Sequence, residues 1–197
     1  MSESVEIEWL CAQILRKLGF AVGKTEIAVF DMQKVLVVER FDRQWINERW
    51  IARLPQEDFC QTLAVPPDRK YESDGGPGIE DALKLLSGSA SSNADREQFL
   101  LVQMAFWLLA ATDGHAKNFS VFHHAGDSYR MTPLYDVLSA WPVIGHGAKY
   151  FPWKKRGWRW ACAPRTCMTG WGIFALATIV SWLTRAAYRR YGTRCRR

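Results

Sequence analysis

The residues whose types and spacing could do chemistry lie in one segment, 112–136, which reads TDGHAKNFSVFHHAGDSYRMTPLYD. Asp113 and Asn118 form the pattern D-x-x-x-x-N, and the segment ends on a second acid, Asp136. Phosphoryl transfer needs a carboxylate to accept the proton of the attacking hydroxyl, and an amide and a carboxylate to hold magnesium against the nucleotide phosphates. The offset from acid to amide is that of the kinase catalytic loop. The pattern therefore indicates a kinase centre.

Two elements must position these side chains. Before them, the apolar run FLLVQMAFWLLAA predicts a helix over 96–111 that is buried on nearly all sides, with Asp95 as its N-cap. After Asn118, the sequence around Gly126 predicts a β-hairpin that returns the chain to Asp136. A rigid buried helix that ends at polar residues is a good mount for a catalytic loop.

The N-terminal segment predicts an amphipathic helix over 4–18. Ser4 would be its N-cap, and Gly19 would end it. Glu8 could point from this helix towards a nucleotide, as the glutamate of a kinase αC helix does. Taken alone, a solvated glutamate is the favoured interpretation.

Two strand-like runs, 25–30 and 35–38, lead directly into Glu39-Arg40-Phe41. A strand that leaves its sheet at a nucleotide cleft can present backbone N–H and C=O groups to adenine, as a kinase hinge does. By periodicity alone, these residues could equally end an ordinary hairpin. Further segments follow: a helix at 54–61, a surface loop at 65–78, a helix at 79–86 and a flexible connector at 87–93.

The composition is that of a globular protein, with 48% hydrophobic and 23% charged residues among 197. Five cysteines, an odd number without disulfide or zinc spacing, argue for a reducing cytoplasm and against a metal bound through sulfur. Charged residues interrupt the first apolar run, so no signal peptide is expected. The net charge of +6 is uneven, because residues 137–197 carry 12 Lys/Arg and no acid.

Five blocks in order carry a specific resemblance: VVERFDR, RLPQEDFCQ, KYESDGGPG, TDGHAKNFS and PLYDVLSA. Together they resemble the C-terminal kinase region of HipA-type toxins, the toxin halves of bacterial type II toxin–antitoxin modules. The resemblance runs from about residue 4 to about residue 147. It implies an α+β, mainly α fold: the larger lobe of a protein-kinase-like fold with small β elements.

Residue by residue, the resemblance implies an ATP- and Mg²⁺-dependent Ser/Thr protein kinase. Asp113 would be the catalytic base, and Asn118 and Asp136 would hold magnesium. The other residues of the nucleotide site would be His115, Ala116, Lys117 and Tyr135, and the adenine hinge would be Glu39, Arg40 and Phe41. The implied partners are a HipB-like antitoxin, operator DNA contacted through that antitoxin, and a translation-related target such as glutamyl-tRNA synthetase. No membrane association is implied.

Each of these residues also has a purely structural interpretation. Asp113 and Asp136 could cap helices, and Asn118 could serve a turn. His115 alone is more often a hydrogen-bonded structural residue, and the pair at 123–124 is expected to lie exposed at the hairpin tip. Their joint occurrence in this order favours the kinase interpretation.

A phosphate-covering Gly-rich loop and a strand lysine on the phosphates are missing from the pattern. Lys24 and Lys34, in turns beside strands, are poor substitutes for that lysine. In the resembling family both features lie in an N-terminal portion, so this chain is expected to bind ATP weakly and to phosphorylate little. Three functions stay open: an impaired toxin kinase, an inactive remnant that binds only antitoxin or nucleotide, and a small-molecule kinase.

Residues 148–197 are predicted to be an atypical basic tail, non-native or disordered, after a kinase region at 1–147. The tail is rich in Trp, Cys and Arg, a composition typical of out-of-frame translation of GC-rich DNA. A frameshift is the favoured hypothesis, and resequencing the gene would test it. The alternatives are a membrane segment at 171–183, which is shorter than the ~20 apolar residues of a span, and a nucleic-acid contact at 185–197.

Overall fold

The structure, a computed structural model, describes residues 3–145 and residue 150. The described α-helices are α1 Ser4–Lys17, α2 Phe59–Thr62, α3 Ile79–Ser87 and α4 Ser92–Leu109. The described strands are β1 Thr25–Phe30, β2 Gln33–Val38, β3 Arg43–Ile46, β4 Trp50–Arg53, β5 Gln56–Asp58, β6 Ser120–His124 and β7 Ser128–Met131. This is the α+β fold that the sequence predicted.

The described strands form three small antiparallel sheets. β1 pairs with β2 and β3 pairs with β4 as hairpins, and β5, β6 and β7 form a three-stranded sheet in that order. Asp31 and Met32 join β1 to β2 with φ values of 45° and 65°, as a two-residue type I′ turn requires. The predicted hairpin is β6–β7, in which Val121 lies opposite Met131. After this hairpin the chain returns to the neighbourhood of Asn118, where Asp136 lies.

The core is built from aromatic side chains of α2, α4 and the segment before β6. Phe59, Phe99, Phe106 and Phe119 are each at most 2% exposed. Their ring centroids lie 5.1 to 6.1 Å apart in tilted or edge-on arrangements, and burial of each ring stabilises the fold by roughly 1.5–3 kcal/mol. Because Phe119 directly follows Asn118, the core also anchors the segment that carries the chemistry.

The end of α4 aims the chain at Asp113. Ala110 takes a left-handed conformation with φ 49°, and its N–H bonds to the carbonyls of Phe106 and Trp107, which ends the helix. Gly114 then passes directly over the core: a Cβ atom there would lie 2.6 Å from the ring of Phe106. This close approach requires glycine.

The predicted N-caps of two helices are wrong. Ser4 is the first residue of α1 rather than its cap. The last long helix begins at Ser92, so Asp95 lies inside it as a buried side chain. The Asp95 carboxylate accepts hydrogen bonds from the N–H of Met131, at 3.0 Å, and from the hydroxyl of Ser89. Asp95 therefore ties α4 to β7.

Burial of α4 is also less complete than its apolar sequence predicted. Trp107 and Leu108 are 40% and 61% exposed, whereas Phe99, Val102 and Phe106 face the core. An unbroken apolar run hides which face of a helix is buried.

The segment 54–61, predicted to be helical, is a strand at 56–58 and a helix only from residue 59. Gln56 pairs with Phe122 in the β5–β6 ladder, and helix begins only at Phe59, with Asp58 as its N-cap. Pairing with a strand far along the chain decides this conformation, and a local pattern cannot show it. The helix predicted at 79–86 and the two strands before Glu39 are confirmed with small shifts of their ends.

Among the described helices, none combines the length and apolarity that crossing a bilayer requires. The predictions for the tail (its boundary, the frameshift, the membrane segment and the nucleic-acid contact) fall outside the described residues.

Candidate active site

The side-chain amide of Asn118 joins two separate parts of the site. Asn118 is buried; its Nδ2 donates to Asp136 Oδ2 at 2.9 Å, and its Oδ1 accepts from the backbone N–H of His115 at 3.0 Å. Residues 116–118 form a short 3₁₀ turn that sets this orientation. The structure thus brings the predicted amide and the predicted second acid into direct contact.

Asp136 presents its carboxylate from a strained backbone. Its φ is 56°, which is uncommon for a residue other than glycine, although aspartate tolerates it better than most. The Asp136 side chain is exposed, and only its Oδ2 is engaged by Asn118. The other oxygen faces no described partner and is free to meet a ligand.

Tyr135 fixes the segment before Asp136 to the loop at 112–118. The Tyr135 hydroxyl donates to the carbonyl of Lys117 at 2.8 Å and accepts from Ser120 Oγ at 2.6 Å. Burial raises the pKa of Tyr135 to about 12, with smaller contributions from nearby carboxylates. Tyr135 is therefore a neutral structural link at any ordinary pH, and it lies beside the contact between Asn118 and Asp136.

Asp113 is exposed and is held by a residue that sequence reasoning missed. The hydroxyl of Tyr71 donates to Asp113 Oδ1 at 2.8 Å. The buried ring of His115 packs edge-on against Tyr71, with centroids 5.1 Å apart. Asp113 is therefore linked to Asn118 through Tyr71 and His115 rather than by direct contact.

The electrostatics of His115 show that both acids lie near it. Burial lowers the pKa of His115, and the positive charge of Lys70 lowers it further, while Asp113 and Asp136 act in the opposite direction. His115 is consequently neutral near pH 7. Its Nδ1 is buried without a hydrogen-bond partner among the described residues.

Lys117 and Ala116 have clear structural roles in the turn. Lys117 Nζ pairs with Asp58 Oδ2 at 2.7 Å, and the Asp58 carboxylate also accepts the N–H of Gln61 at the start of α2. Ala116 is fully buried, and its N–H donates to the carbonyl of Lys70 at 3.4 Å. Lys117, predicted to belong to the nucleotide site, is thus already paired in this structure.

A small pocket lies beside Asp136 and is lined by residues of α1, β2 and the segments 22–25 and 134–137. Glu8, Thr25 and Tyr135 line it together with Asp136, and most of its other lining residues are apolar. Glu8 is half-buried rather than solvated, which corrects the favoured sequence interpretation. Burial raises the pKa of Glu8, and the negative charge of Asp136 raises it further.

The predicted hinge leaves β2 at the same edge of the site. Glu39 N–H donates to the carbonyl of Lys24 at 2.8 Å, and the ring of Phe41 packs against Phe122 and Tyr135 at 5.8 and 5.7 Å. Among the described residues, the carbonyl of Glu39 and the N–H of Phe41 make no hydrogen bond. The hinge role of residues 39–41 stays a prediction.

The side chain of Arg40 pairs with an acid two residues further along the chain. It forms two hydrogen bonds, at 2.8 and 2.7 Å, with the buried carboxylate of Asp42, which Arg43 also contacts. Hydrogen bonding to Arg40 lowers the pKa of Asp42 to about 2. Arg40 therefore braces the turn after the hinge.

The donor set fits a hard cation in part. Asp136 and Asn118 offer carboxylate and amide oxygens, which Mg²⁺ prefers; Asn118 Oδ1 keeps a second lone pair beside its bond to His115. Among the described residues no group of three or more His, Cys, Asp or Glu side chains is close enough to form a metal site alone. Magnesium would thus rely on this pair and on nucleotide phosphates.

Tyr71, Asp58 and Ser120 are the site residues that sequence reasoning missed. Tyr71 lies 42 residues from its partner Asp113, and such contacts leave no trace in local spacing. The block KYESDGGPG, which contains Tyr71, was the available signal.

The sequence model described as the HipA-like C-terminal domain matches residues 1–171, which extends the resemblance beyond residue 147. Among curated proteins, Y4mE of Sinorhizobium fredii, whose name describes a kinase, is 36% identical over 137 residues, covering 69% of this chain and 32% of that protein. The serine/threonine-protein kinase toxin HipA of Shewanella oneidensis is 31% identical over 144 residues, covering 67% and 33%.

Solved structures show the same relationship. A complex of HipA, HipB and operator DNA from Shewanella oneidensis matches with a TM-score of 0.65 and 27% identity, over 69% of this chain and 34% of that one. The Helicobacter pylori proinflammatory kinase CtkA shares the fold, with a TM-score of 0.51 and 16% identity over 68% and 46%. The chain spans about a third of the length of these curated relatives. It belongs to the HipA-like C-terminal domain family.

Proposed function

We propose that this chain carries the catalytic centre of an ATP- and Mg²⁺-dependent serine/threonine protein kinase of the HipA type. The observation that carries the proposal is the contact between Asn118 and Asp136, because Asn118 lies on the same short loop as Asp113. Three oxygen-bearing side chains in this relation match the division of labour in phosphoryl transfer.

In the proposed reaction, Asp113 accepts the proton of a Ser or Thr hydroxyl as its oxygen attacks the γ-phosphorus of ATP. The bond between that phosphorus and the bridging oxygen breaks, and ADP leaves. Asp113 suits this role because its carboxylate is exposed and Tyr71 engages only Oδ1. Magnesium, when bound by Asn118 and Asp136, would neutralise charge on the phosphates.

Adenine would bind at the hinge. The carbonyl of Glu39 can accept from an exocyclic amine, and the N–H of Phe41 can donate to a ring nitrogen, since neither has a described partner. The Phe41 ring, packed on Phe122 and Tyr135, would hold that backbone rigid against the base.

A second candidate is a chain that binds nucleotide or antitoxin without transferring phosphate. The observation in its favour is that three described lysines are already paired, Lys117 with Asp58, Lys34 with Glu6 and Lys24 with Glu39, and that Lys70 lies over the Tyr71 ring. A phosphoryl-transfer site without a free lysine on the phosphates would be impaired.

The partners are proposed from the Shewanella oneidensis complex of HipA with HipB and operator DNA. By analogy, this chain would bind a HipB-like antitoxin in the cytoplasm and reach DNA through it. Glutamyl-tRNA synthetase is the proposed acceptor by family resemblance alone.

Growth on expression of the chain, with and without Asp113→Asn, separates the candidates. Arrest that the substitution abolishes supports the kinase. Absence of arrest in both favours the chain that only binds. Assays with protein and with metabolite acceptors distinguish a protein kinase from a small-molecule kinase.

A further inference from the structure

Tyr71 makes three contacts that converge on the candidate active site. Its hydroxyl donates to Asp113 Oδ1 at 2.8 Å, and its ring packs edge-on against His115 at 5.1 Å and an interplanar angle of 68°. Lys70 Nζ lies 4.9 Å from the centroid of the same ring, within the range of a cation–π contact. A side chain held on three sides has one orientation.

The loop that carries Tyr71 is itself tightly built. The carbonyl of Tyr71 accepts from the N–H groups of Asp74 and Gly76 at 3.0 and 2.9 Å. A Cβ atom at Gly76 would lie 1.9 Å from the carbonyl oxygen of Arg69, so only glycine fits there. Tyr71 is thus positioned by its own loop before it meets the catalytic loop.

The contacts of Tyr71 also reach Asn118 and Asp136, the proposed magnesium ligands. The backbone N–H of His115 donates to Asn118 Oδ1, and Asn118 Nδ2 donates to Asp136. Tyr71 therefore contacts Asp113 through its hydroxyl. Its ring contacts His115, whose N–H orients the amide of Asn118. A continuous series of contacts thus links Tyr71 to Asp136.

We propose that Tyr71 is a positioning residue for phosphoryl transfer, whose hydroxyl holds Asp113 in one orientation so that Oδ2 stays open to the acceptor. This inference rests on the proposed kinase function. A carboxylate on an exposed loop can rotate freely, and a fixed donor on one oxygen removes that freedom. Two rival roles for the same contact are that Tyr71 blocks the base, or that Tyr71 is itself an acceptor.

The decisive variant is Tyr71→Phe, which keeps the ring against His115 and removes only the hydroxyl. Tyr129→Phe is the matched control, because it removes a phenol that donates to the carbonyl of Leu85 at 2.6 Å, outside the site. Transfer of the labelled γ-phosphate from Mg-ATP to protein and to water is measured for the 197-residue chain, for both variants and for Asp113→Asn. Hydrogen exchange over residues 112–118 reports whether the loop keeps its fold.

The expected result is a kcat about tenfold lower for Tyr71→Phe, as loss of a hydrogen bond to a charged group implies, with an unchanged KM for ATP. Exchange over 112–118 should be unchanged, and Tyr129→Phe should match the wild type. A wild-type rate in Tyr71→Phe, with Asp113→Asn inactive, would overturn the positioning role and leave the kinase function standing. A faster Tyr71→Phe, or phosphate found on Tyr71 by mass spectrometry, would also overturn it. No transfer by the wild type, or an Asp113→Asn variant as active as the wild type, would overturn both proposals.

Discussion

Asn118 Nδ2 and Asp136 Oδ2 lie 2.9 Å apart, although 18 positions and the whole β6–β7 hairpin separate the two residues in the chain. The hairpin register and the Tyr135 hydroxyl bonds bring the chain back to the same point. The geometry of the candidate active site therefore depends on the β6–β7 hairpin as well as on the loop that carries Asp113 and Asn118.

The first prediction concerns the contribution of Asn118 to the stability of the fold. Asn118→Ala leaves the buried N–H of His115 without its acceptor, so the free energy of unfolding should fall by about 1–3 kcal/mol. Urea denaturation measures this change. Asn93→Ala, at an exposed position in α4, is the control and should be neutral or slightly stabilising. Equal effects of the two substitutions would contradict the proposed network.

The second prediction concerns the acid stability that Asp42 provides. Because the pKa of Asp42 is lowered from 3.8 to about 2 in the folded protein, its contribution is fully present above about pH 4 and is lost as the pH falls towards 2. The contribution is roughly 2 kcal/mol. Unfolding curves at pH 6 and pH 3 should show a smaller pH-dependent loss for Asp42→Asn than for the wild type.

Asp127→Asn, at the exposed hairpin tip, serves as the control for that measurement and should keep the wild-type pH dependence. If the Asp42→Asn variant also kept the wild-type pH dependence of unfolding, the Arg40–Asp42 pair would not be the source of the depressed pKa.

The third prediction concerns the Lys117–Asp58 ion pair. The pair is only partly buried, with Lys117 35% and Asp58 13% exposed, so a double-mutant cycle with Lys117→Gln and Asp58→Asn should give a coupling of about 0.5–1 kcal/mol. Asparagine still accepts the N–H of Gln61, which preserves the cap on α2. Added salt should reduce the coupling. A coupling of zero would mean that Lys117 is free to meet phosphate.

The fourth prediction compares two glycines. Gly76→Ala should destabilise the protein strongly or displace the Tyr71 loop, because its Cβ would overlap the carbonyl oxygen of Arg69. Gly126→Ala has a positive φ of 75° but nothing within 4 Å, so it should cost only about 1 kcal/mol. Thermal unfolding of both variants checks this order. A Gly76→Ala variant as stable as Gly126→Ala would show that the loop is looser than the contacts indicate.

The sequence predicted those parts of the site that depend on local spacing. The offset between Asp113 and Asn118 places both on one short loop, and the sequence around Gly126 predicts the hairpin that returns the chain to Asp136. The fold class followed from the same local patterns together with the family resemblance.

Contacts between distant segments could not be predicted. Tyr71 meets Asp113 across 42 positions, and Asp58 meets Lys117 across 59. Asp95 was misread as a cap for the same reason, since its partner Met131 lies on β7. Hydrogen-bond geometry of this kind depends on how elements pack, and a pattern within one element carries no information about it.

The most direct test of the central claim is the rate of γ-phosphate transfer from Mg-ATP by Asp113→Asn compared with the wild type. Asparagine keeps the shape and can still accept the Tyr71 hydroxyl, so the fold and nucleotide affinity should be unchanged. If Asp113 is the base, the rate should fall by about 10²-fold or more. A variant that transfers phosphate as fast as the wild type would contradict the account.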